Sequence, residues 1–245
     1  MKSNKLTLGV FASADAGKTT LSENILFNSG VIRRIGHVDE GDSFLDSDSM
    51  EKERGISIFS KEARFSVDDM DVVLIDTPGH IDFAAEAERT LNILDAAILI
   101  ISSDGINKRT RQIWSKLDRY SIPRLIFVNK CDLASFDRKR IEAQLQRISS
   151  ATFDVTNLQK IDDDLCEKIA FSSDLAFDIF EQNSGFSKSD IKMLINRAAL
   201  FPCLYGSALK GDGVKELIKS LSYFDKQREY DDAFSCFVYK ITRDK

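Results

Sequence analysis

Several patterns that define large classes of proteins are missing from this sequence. It has no run of about eighteen apolar residues and no small-residue cleavage site after the short apolar stretch near its start, so we expect neither a membrane-spanning helix nor a secretory leader. The four cysteines stand singly, without a Cys-x-x-Cys pair, and only His37 and His80 are available to help them bind metal. This argues against structural zinc and against a disulfide framework. We therefore expect a cytoplasmic protein without a membrane partner.

A strong excess of one charge sign is also missing. The formal net charge of -5 argues against a protein that coats nucleic acid nonspecifically, and we expect no free DNA partner, although a local basic surface or a specific docking face remains open. With 43% hydrophobic residues in 245, the chain can bury one large core. Its length suits one domain with additions or two small domains, and we expect a monomer.

Hydrophobic patterning predicts the fold class. Short apolar runs, several of them rich in branched residues, are typical of buried parallel strands, and segments with helical spacing lie between them. This alternation predicts a doubly wound, mostly parallel α/β sheet. A further strand over 57–65, followed by a turn at 68–71, is predicted to lie antiparallel at the sheet edge. The predicted central strands are residues 6–11, 72–75, 96–101, 125–128 and 203–205, and the predicted helices are 18–29, 80–94, 108–120, 137–148 and 214–223.

Other segments interrupt the alternation and suggest the domain organisation. Residues 30–54 are polar and acidic, which favours a mobile loop. Residues 149–199 are predicted to form a small inserted subdomain with helices around 165–180 and 189–199. We expect residues 1–226 to form one domain and 227–245 to be a linker followed by the first strand of a β-barrel in a longer natural protein.

The run Asp15-Ala16-Gly17-Lys18-Thr19-Thr20 lies between the first predicted strand and the first predicted helix. A phosphate-binding loop needs backbone N–H groups around an anion at a helix start, a Lys for the terminal phosphates and a hydroxyl for Mg²⁺; Lys18 and Thr19 supply the two side chains. The strict pattern begins with Gly, where this chain has Ala12. A chance Gly-Lys-Thr at a helix start is the alternative for this motif alone, but a P-loop NTPase is favoured.

A second motif, Asp76-Thr77-Pro78-Gly79-His80, follows the strand 72–75 at the sheet edge where such folds bind ligands. Asp76 can hold Mg²⁺ through water, and the Gly79 N–H can approach the γ-phosphate because no side chain obstructs it. Thr-Pro-Gly also favours an ordinary turn, which is the alternative. The position after a buried strand, downstream of Lys18, favours the phosphate site.

A third motif, Asn129-Lys130-Cys131-Asp132, bears on the choice of base. The Asp132 carboxylate has two acceptor oxygens to match the ring N–H and exocyclic amine of guanine. Asn129 would tie this segment to the phosphate loop, and the Lys130 stem could cover the base. After the strand 203–205, the Ala208 N–H could meet the guanine carbonyl oxygen. The predicted guanine-binding residues are Asn129, Lys130, Asp132, Ser207, Ala208 and Leu209.

Ser57, between the phosphate loop and Asp76, is the candidate for a second Mg²⁺-binding hydroxyl. A turn leading into a strand is the alternative for Ser57 taken alone. With the flanking motifs, residues 30–57 are predicted to be ordered by the γ-phosphate and Mg²⁺ and released after hydrolysis. The predicted Mg²⁺ ligands are Thr19, Ser57 and Asp76.

These motifs resemble the G domain of translational GTPases, the group that contains elongation factor G, release factor three and the tetracycline-resistance ribosomal protection proteins. The resemblance covers nearly the whole chain and is closest to the ribosomal protection branch at Asn28-Ser29-Gly30, at 36–41 and in the length of 133–206. Residues 237–241 resemble the first strand of the β-barrel that follows the G domain in this family. The motifs that carry the resemblance are 15–20, 53–58, 76–83 and 129–132.

The sequence departs from the family at three positions. Ser13 and Ala14 stand where members usually have His followed by Ile, Val or Pro. Ser57 stands where most members have Thr, although release factor three is similar to this chain there. None of these changes removes a type of ligand that the site needs.

The resemblance implies that His80 orients the attacking water, in place of the Gln of small GTPases, when the protein is docked on the large ribosomal subunit. The expected activity is hydrolysis of GTP to GDP and phosphate, stimulated by the ribosome, in a factor that dislodges tetracycline. The alternatives are a factor like elongation factor G or a release factor, and a GTP-dependent binding switch with little turnover. An ATPase is a more distant alternative.

Overall fold

The computed structural model describes residues 4–36, 61–76, 89–224 and 238, and every structural statement below concerns these residues. They form a seven-stranded sheet in the order β2-β3-β1-β4-β5-β7-β6. Every strand pair is parallel except β2 and β3, which are antiparallel. The strands are β1 Asn4–Ala12, β2 Lys61–Val67, β3 Met70–Asp76, β4 Ala96–Ile101, β5 Arg124–Val128, β6 Thr152–Asp154 and β7 Phe201–Tyr205.

The helices lie between the strands along the chain, as the alternating pattern predicts. A 3-10 helix, Leu221–Phe224, follows the last of them. Among the described residues, no helix has the length and apolar character needed to cross a membrane. The helices are α1 Lys18–Asn28, α2 Lys108–Arg119, α3 Arg138–Ile148, α4 Val155–Leu158, α5 Asp163–Ala170, α6 Asp174–Asn183, α7 Lys188–Asn196 and α8 Val214–Ser220.

Side chains on both faces of the sheet are buried, which explains why its central strands are continuous apolar runs. Alternate residues of β4 divide between two hydrophobic clusters: Ile98 and Ile100 belong to the cluster that contains α1, while Leu99 and Ile101 belong to the cluster that contains Trp114 of α2. The predicted doubly wound α/β fold is therefore confirmed. The five predicted central strands are present, each with bounds equal to or slightly wider than predicted.

The antiparallel edge strand is also present, as β2, although its first four predicted residues, 57–60, lie outside the described ones. Asp68 and Asp69 form the turn between β2 and β3, and Asp68 has φ 49°. Of the predicted helix 80–94, residues 80–88 lie outside the described residues and 89–91 are helical. The predicted loop 30–54 lies outside them from residue 37 onward, as do the predicted linker and strand over 227–245 except for Val238.

Between α3 and β7 the chain forms more structure than the sequence pattern predicts. The predicted helical patches are confirmed as α5, α6 and α7, but the short strand β6 and the single turn α4 were not predicted. β6 pairs in parallel with β7 at the sheet edge. Arg138 of α3 forms an ion pair with Asp154 and lies 4.1 Å above the Tyr205 ring, so it links β6 and β7 to α3. That these helices form a separate subdomain stays a prediction.

Most helices of this domain begin after a polar side chain that accepts a hydrogen bond from the first turn, the usual way to satisfy N–H groups that lack a partner inside the helix. α1 and α8 instead begin after glycines, Gly17 and Gly213, both with φ in the left-handed region. These two glycines belong to the loops that carry the predicted nucleotide residues. The capping side chains are Asn107 for α2, Asp137 for α3, Asp154 for α4, Asp162 for α5, Ser173 for α6 and Ser187 for α7.

Candidate nucleotide-binding site

The predicted phosphate loop connects β1, which ends at Ala12, to α1, which begins at Lys18. Asp15 and Gly17 adopt left-handed backbone conformations, with φ 57° and 90°. A Cβ atom on Gly17 would lie 2.3 Å from Asn129 Nδ2, so only glycine fits there. Because the N-cap residue has no side chain, no cap side chain satisfies the first-turn N–H groups of α1. A phosphate group can complete this arrangement.

Lys18 and Asp76 are brought together by the pairing of β1 with β3. The register pairs Val10 with Asp76, the last residue of β3, so this carboxylate lies beside the start of the phosphate loop. The Lys18 ammonium group contacts the Asp76 carboxylate, and the two side chains are 10% and 0% exposed. The predicted phosphate-binding cation and the predicted Mg²⁺-binding carboxylate thus lie in one site, with Thr19 following Lys18 in the half-buried first turn of α1.

The donor set in this site fits Mg²⁺ held jointly with nucleotide phosphates. Hydroxyl and carboxylate oxygens, as on Thr19 and Asp76, are the hard ligands that Mg²⁺ prefers. The part of the chain that the structure describes contains no cluster of three or more His, Cys, Asp or Glu side chains that could hold a metal ion. Mg²⁺ is usually bound by one or two protein groups plus substrate phosphates, rather than by an all-protein cage.

Asn129 connects the phosphate loop to both predicted base-binding segments. It follows β5, is 2% exposed, and donates from Nδ2 to the Ala16 carbonyl oxygen at 2.8 Å. Its Oδ1 accepts the Ala208 N–H, also at 2.8 Å. The tie predicted from the sequence is therefore present, and it extends to a third segment. The Ala208 N–H that the sequence assigns to the guanine carbonyl donates to Asn129 in this structure.

The two base-binding segments also pair with each other through their backbones. The Cys131 N–H donates to the Gly206 carbonyl at 3.0 Å, and the Gly206 N–H donates to the Val128 carbonyl at 2.9 Å. A Cβ atom on Gly206 would lie 2.2 Å from the Asp212 carbonyl oxygen, so this close approach requires glycine. Lys130, half-buried, has φ 62°, an uncommon conformation for a residue with a side chain and one that recurs at functional sites.

The surroundings of the Asp132 carboxylate favour its ionised form. The Ser207 hydroxyl group donates a hydrogen bond to it, which is the main reason that the pKa of Asp132 lies below its ordinary value. Lys210 adds a weaker attraction, with its Nζ 3.5 Å from Asp132 Oδ2. Leu209, the third residue of the predicted turn, is 70% exposed.

Three predicted site residues lie outside the described residues: Ser57, Gly79 and His80. The structure brings the other predicted residues to the carboxyl ends of β1, β3, β5 and β7, where a nucleotide would span from phosphates to base. The residues placed at this edge are Asp15, Ala16, Gly17, Lys18, Thr19, Thr20, Asp76, Asn129, Lys130, Asp132, Ser207, Ala208 and Leu209.

Two buried polar residues of α1 were not predicted from the sequence. Glu23 is 0% exposed and accepts the Gly36 N–H at 3.2 Å. Asn24 is 3% exposed and donates to the Ala208 carbonyl. The available signal was their place between Leu21 and Ile25, on a helix whose middle is buried on all sides. A buried polar side chain needs a partner, so each of these residues points to a tertiary contact.

The thiol groups near the base-binding segments are poorly ionisable. Burial raises the pKa of Cys131 to about 11 and that of Cys203 to about 12. Tyr205, which is hydrogen bonded to Cys203, also has its pKa raised, mainly by burial. Thiolate is the reactive form of cysteine, so Cys131 and Cys203 are poor nucleophiles at neutral pH.

Comparison with known proteins identifies the family. The sequence pattern of the family described as "Elongation factor Tu GTP binding domain" matches residues 3–225. The chain belongs to this family. Its relatives include the tetracycline resistance protein TetP of Clostridium perfringens, 34% identical over 97% of this chain and 40% of that protein. They also include elongation factor G of Mycoplasma pneumoniae, 33% identical over 90% of this chain and 39% of that protein.

A crystal structure of a protein from Thermus thermophilus supports the fold alone, with a TM-score of 0.77 at 19% identity over 90% of this chain and 40% of that one. The resemblance to translational GTPases, drawn above from four motifs, is confirmed, and the domain is a GTP-binding one. The chain spans 40% of the length of TetP.

Proposed function

We propose that this chain is the GTP-hydrolysing domain of a cytoplasmic, ribosome-associated translation factor that protects the ribosome from tetracycline. The observation that carries the nucleotide-binding part of the proposal is the pair of hydrogen bonds of Asn129, which donates to the Ala16 carbonyl in the phosphate loop and accepts the Ala208 N–H of the second base segment. This geometry supports one nucleotide held at both ends. The relatives named as tetracycline resistance proteins support the finer assignment.

Base selection would rest on Asp132. Its carboxylate, to which the Ser207 hydroxyl donates, would accept two hydrogen bonds from guanine, whereas adenine presents an acceptor where guanine has its ring N–H. Lys130 would cover one face of the base with its methylene stem. Leu209, which is 70% exposed in the adjoining turn, offers apolar surface beside the base.

Phosphate binding would rest on Lys18, whose ammonium group would move from Asp76 to the terminal phosphates. The released Asp76 carboxylate, Thr19 and Ser57 are the residues that would hold Mg²⁺, with Gly79 supplying an N–H to the γ-phosphate. Bound Mg²⁺ would neutralise charge that develops on the β- and γ-phosphate oxygens.

Hydrolysis would rest on His80, which would orient the water that attacks the γ-phosphorus as the bond to the β-phosphate breaks. Catalysis of this kind is positioning plus charge stabilisation, and unstimulated GTPases can turn over as slowly as roughly 10⁻⁴ per second. We propose that docking on the large ribosomal subunit, by a monomer, brings His80 into place.

The test of this mechanism is His80→Ala in the full-length protein. We expect nearly unchanged GDP and GTP affinity and a loss of ribosome-stimulated phosphate release of about 10²- to 10⁴-fold, the range over which a positioned acid–base side chain acts. Phosphate release is measured with and without ribosomes. Unchanged stimulated turnover in this variant would show that another group positions the water.

The biological role is tested by tetracycline susceptibility with the full gene expressed and deleted. Protection predicts higher tolerance on expression and lower tolerance on deletion. An alternative, a translocation factor, is favoured by the similar identity to elongation factor G. That role predicts unchanged susceptibility together with ribosome-stimulated GTP hydrolysis. A lack of stimulation would count against both roles and favour a GTP-dependent binding switch.

A further inference from the structure

Asn24 links the phosphate-binding helix directly to the second base-binding segment. Its side chain, 3% exposed in the second turn of α1, donates from Nδ2 to the Ala208 carbonyl oxygen at 2.7 Å. The same amide group also donates to the Thr20 carbonyl, one turn back in α1, at 3.2 Å. A Cβ atom on Gly211 would lie 3.6 Å from Asn24 Oδ1, so this side chain also packs against the end of the base-binding turn.

Asn24 and Asn129 bind the two different backbone polar groups of Ala208. The N–H of Ala208 donates to Asn129 Oδ1, while its carbonyl oxygen accepts from Asn24. Ala208 is fully buried, so neither group has water as a substitute partner. The neighbouring residue, Ser207, hydrogen bonds to Asp132. A displacement of Ala208 would therefore move the hydroxyl that orients the Asp132 carboxylate.

We propose that Asn24 is a positioning residue for guanine recognition, which fixes the base-binding turn against the helix that starts at the phosphates. The proposal rests on the function proposed above, because it assumes that Asp132 and the 207–209 turn bind guanine. Asn24 acts through Ala208 and Ser207. It sets the distance between the phosphate and base subsites, and its loss should weaken binding of the base while sparing binding of the phosphates.

The chain supplies a matched control in Asn196. This residue of α7 donates from Nδ2 to the carbonyl four residues back, Lys192, at 2.8 Å, and to the Tyr223 carbonyl at 2.7 Å. The pattern is the same as that of Asn24, one bond within the helix and one to a distant segment. Asn196 ties α7 to the 3-10 helix and contacts neither base-binding segment through these bonds. Its removal should cost stability without affecting the nucleotide.

The test compares Asn24→Ser and Asn196→Ser in the full-length protein. A helical serine can still hydrogen bond to the carbonyl four residues back but is too short to maintain the distant contact, so each variant deletes the tertiary bond selectively. Dissociation of fluorescent GDP is measured for both variants and the original protein. Competition by inorganic tripolyphosphate, which has no base, is measured in parallel. The isosteric Asn24→Asp, which puts an oxygen against the Ala208 carbonyl, provides a second variant if the serine variant does not fold.

We expect Asn24→Ser to release GDP about tenfold faster, the effect of losing one buried hydrogen bond of about 1.4 kcal/mol, with unchanged tripolyphosphate affinity. Asn24→Asp should be faster still. Asn196→Ser should release GDP at the original rate, although its thermal midpoint falls by about as much as that of Asn24→Ser. Equal GDP release from the Asn24 and Asn196 variants, or a parallel loss of tripolyphosphate binding, would overturn the proposal. Failure of the original protein to bind GDP would overturn the proposed function as well.

Discussion

At the scale of single residues, the ionisation of Asp132 depends on a neighbouring side chain, Ser207. The Ser207 hydroxyl lowers the pKa of this carboxyl group by donating to it. A carboxyl group with a lowered pKa stays ionised when the pH falls below the ordinary pKa of that group. It becomes protonated only when the pH falls below the lowered pKa. Guanine recognition by Asp132 should therefore persist into acidic solution for as long as the fold does.

Asp132→Asn should shift base preference from guanine to xanthine. The amide group donates a hydrogen bond where xanthine carries a carbonyl, and it removes one of the two acceptors that guanine needs. We expect a GDP affinity at least about tenfold lower and a gain for XDP of similar size, because one hydrogen bond to guanine is lost and two donors then face each other. Equilibrium binding of both nucleotides measures the exchange. Retention of full GDP affinity would refute the assignment of Asp132 to the base.

Cys131 should react slowly with iodoacetamide although it lies in the predicted base-binding segment 129–132. Its pKa is raised to about 11 by burial, so at pH 8 its thiolate fraction is roughly two orders of magnitude below that of an ordinary thiol. The rate should rise as the pH approaches that value. Mass spectrometry of the peptide that contains Cys131 measures alkylation, with the urea-unfolded chain as the control. Equal rates in the folded and unfolded chains would contradict the burial of this thiol.

At the scale of elements, the first residue of β5 is a buried cation, Arg124. Arg124 is 0% exposed, and its guanidinium carbon lies 4.3 Å from the ring centroids of both Trp114 and Phe201. It forms an ion pair with Asp118 and donates to the Trp114 carbonyl at 3.2 Å. Burial lowers the pKa of Arg124, and the Asp118 charge opposes this. One side chain thus joins α2, β5 and β7.

Asp118→Asn should destabilise this junction. Removing one partner of a fully buried ion pair costs about 3–5 kcal/mol, but the Asp118 side chain is 50% exposed and water can replace part of its contact, so we expect about 1–2 kcal/mol. Urea unfolding measures the change. Asp174→Asn, on the surface of α6, is a control for loss of a negative charge. A change no larger than that of the control would show that the aromatic rings and the Trp114 carbonyl stabilise Arg124 without Asp118.

Sequence periodicity predicted the central strands because both faces of β4 and β5 are buried, which produces unbroken apolar runs. It placed the start of β5 at residue 125, one residue late, because a charged Arg124 was excluded from such a run. The partners that allow its burial, Asp118 and Phe201, come from other elements. β6 has three residues, too few to show periodicity, and it exists through pairing with β7.

At the scale of the whole molecule, GDP with Mg²⁺ should raise the unfolding temperature. A ligand at a hundred times its dissociation constant stabilises the folded state by about 2.7 kcal/mol, which for a chain of this size corresponds to a shift of about 5–10 °C. ATP at the same concentration should give no shift. Differential scanning fluorimetry measures both. An equal shift with ATP would favour the ATPase alternative.

The sequence predicted that the site motifs come together, because each motif directly follows a strand and the carboxyl ends of parallel strands meet at one sheet edge. The contacts that lock the segments together did not follow. Asn24 and Ala208 are 184 residues apart, and no local pattern marks their hydrogen bond. The fold brings them together by packing α1 beside the base-binding turn.

The two edges of the described sheet have consequences for association between copies of the molecule. At one edge, the exposed side chains of β2 alternate with the buried Ala63 and Phe65. The exposed ones are Glu62, Arg64 and Ser66, so a neighbouring strand would meet both charge signs. At the other edge, β6 extends over three residues. Charged side chains and short length are two ways in which edge strands avoid intermolecular pairing. Concentrated solutions of this domain should therefore resist fibril-like growth from these edges.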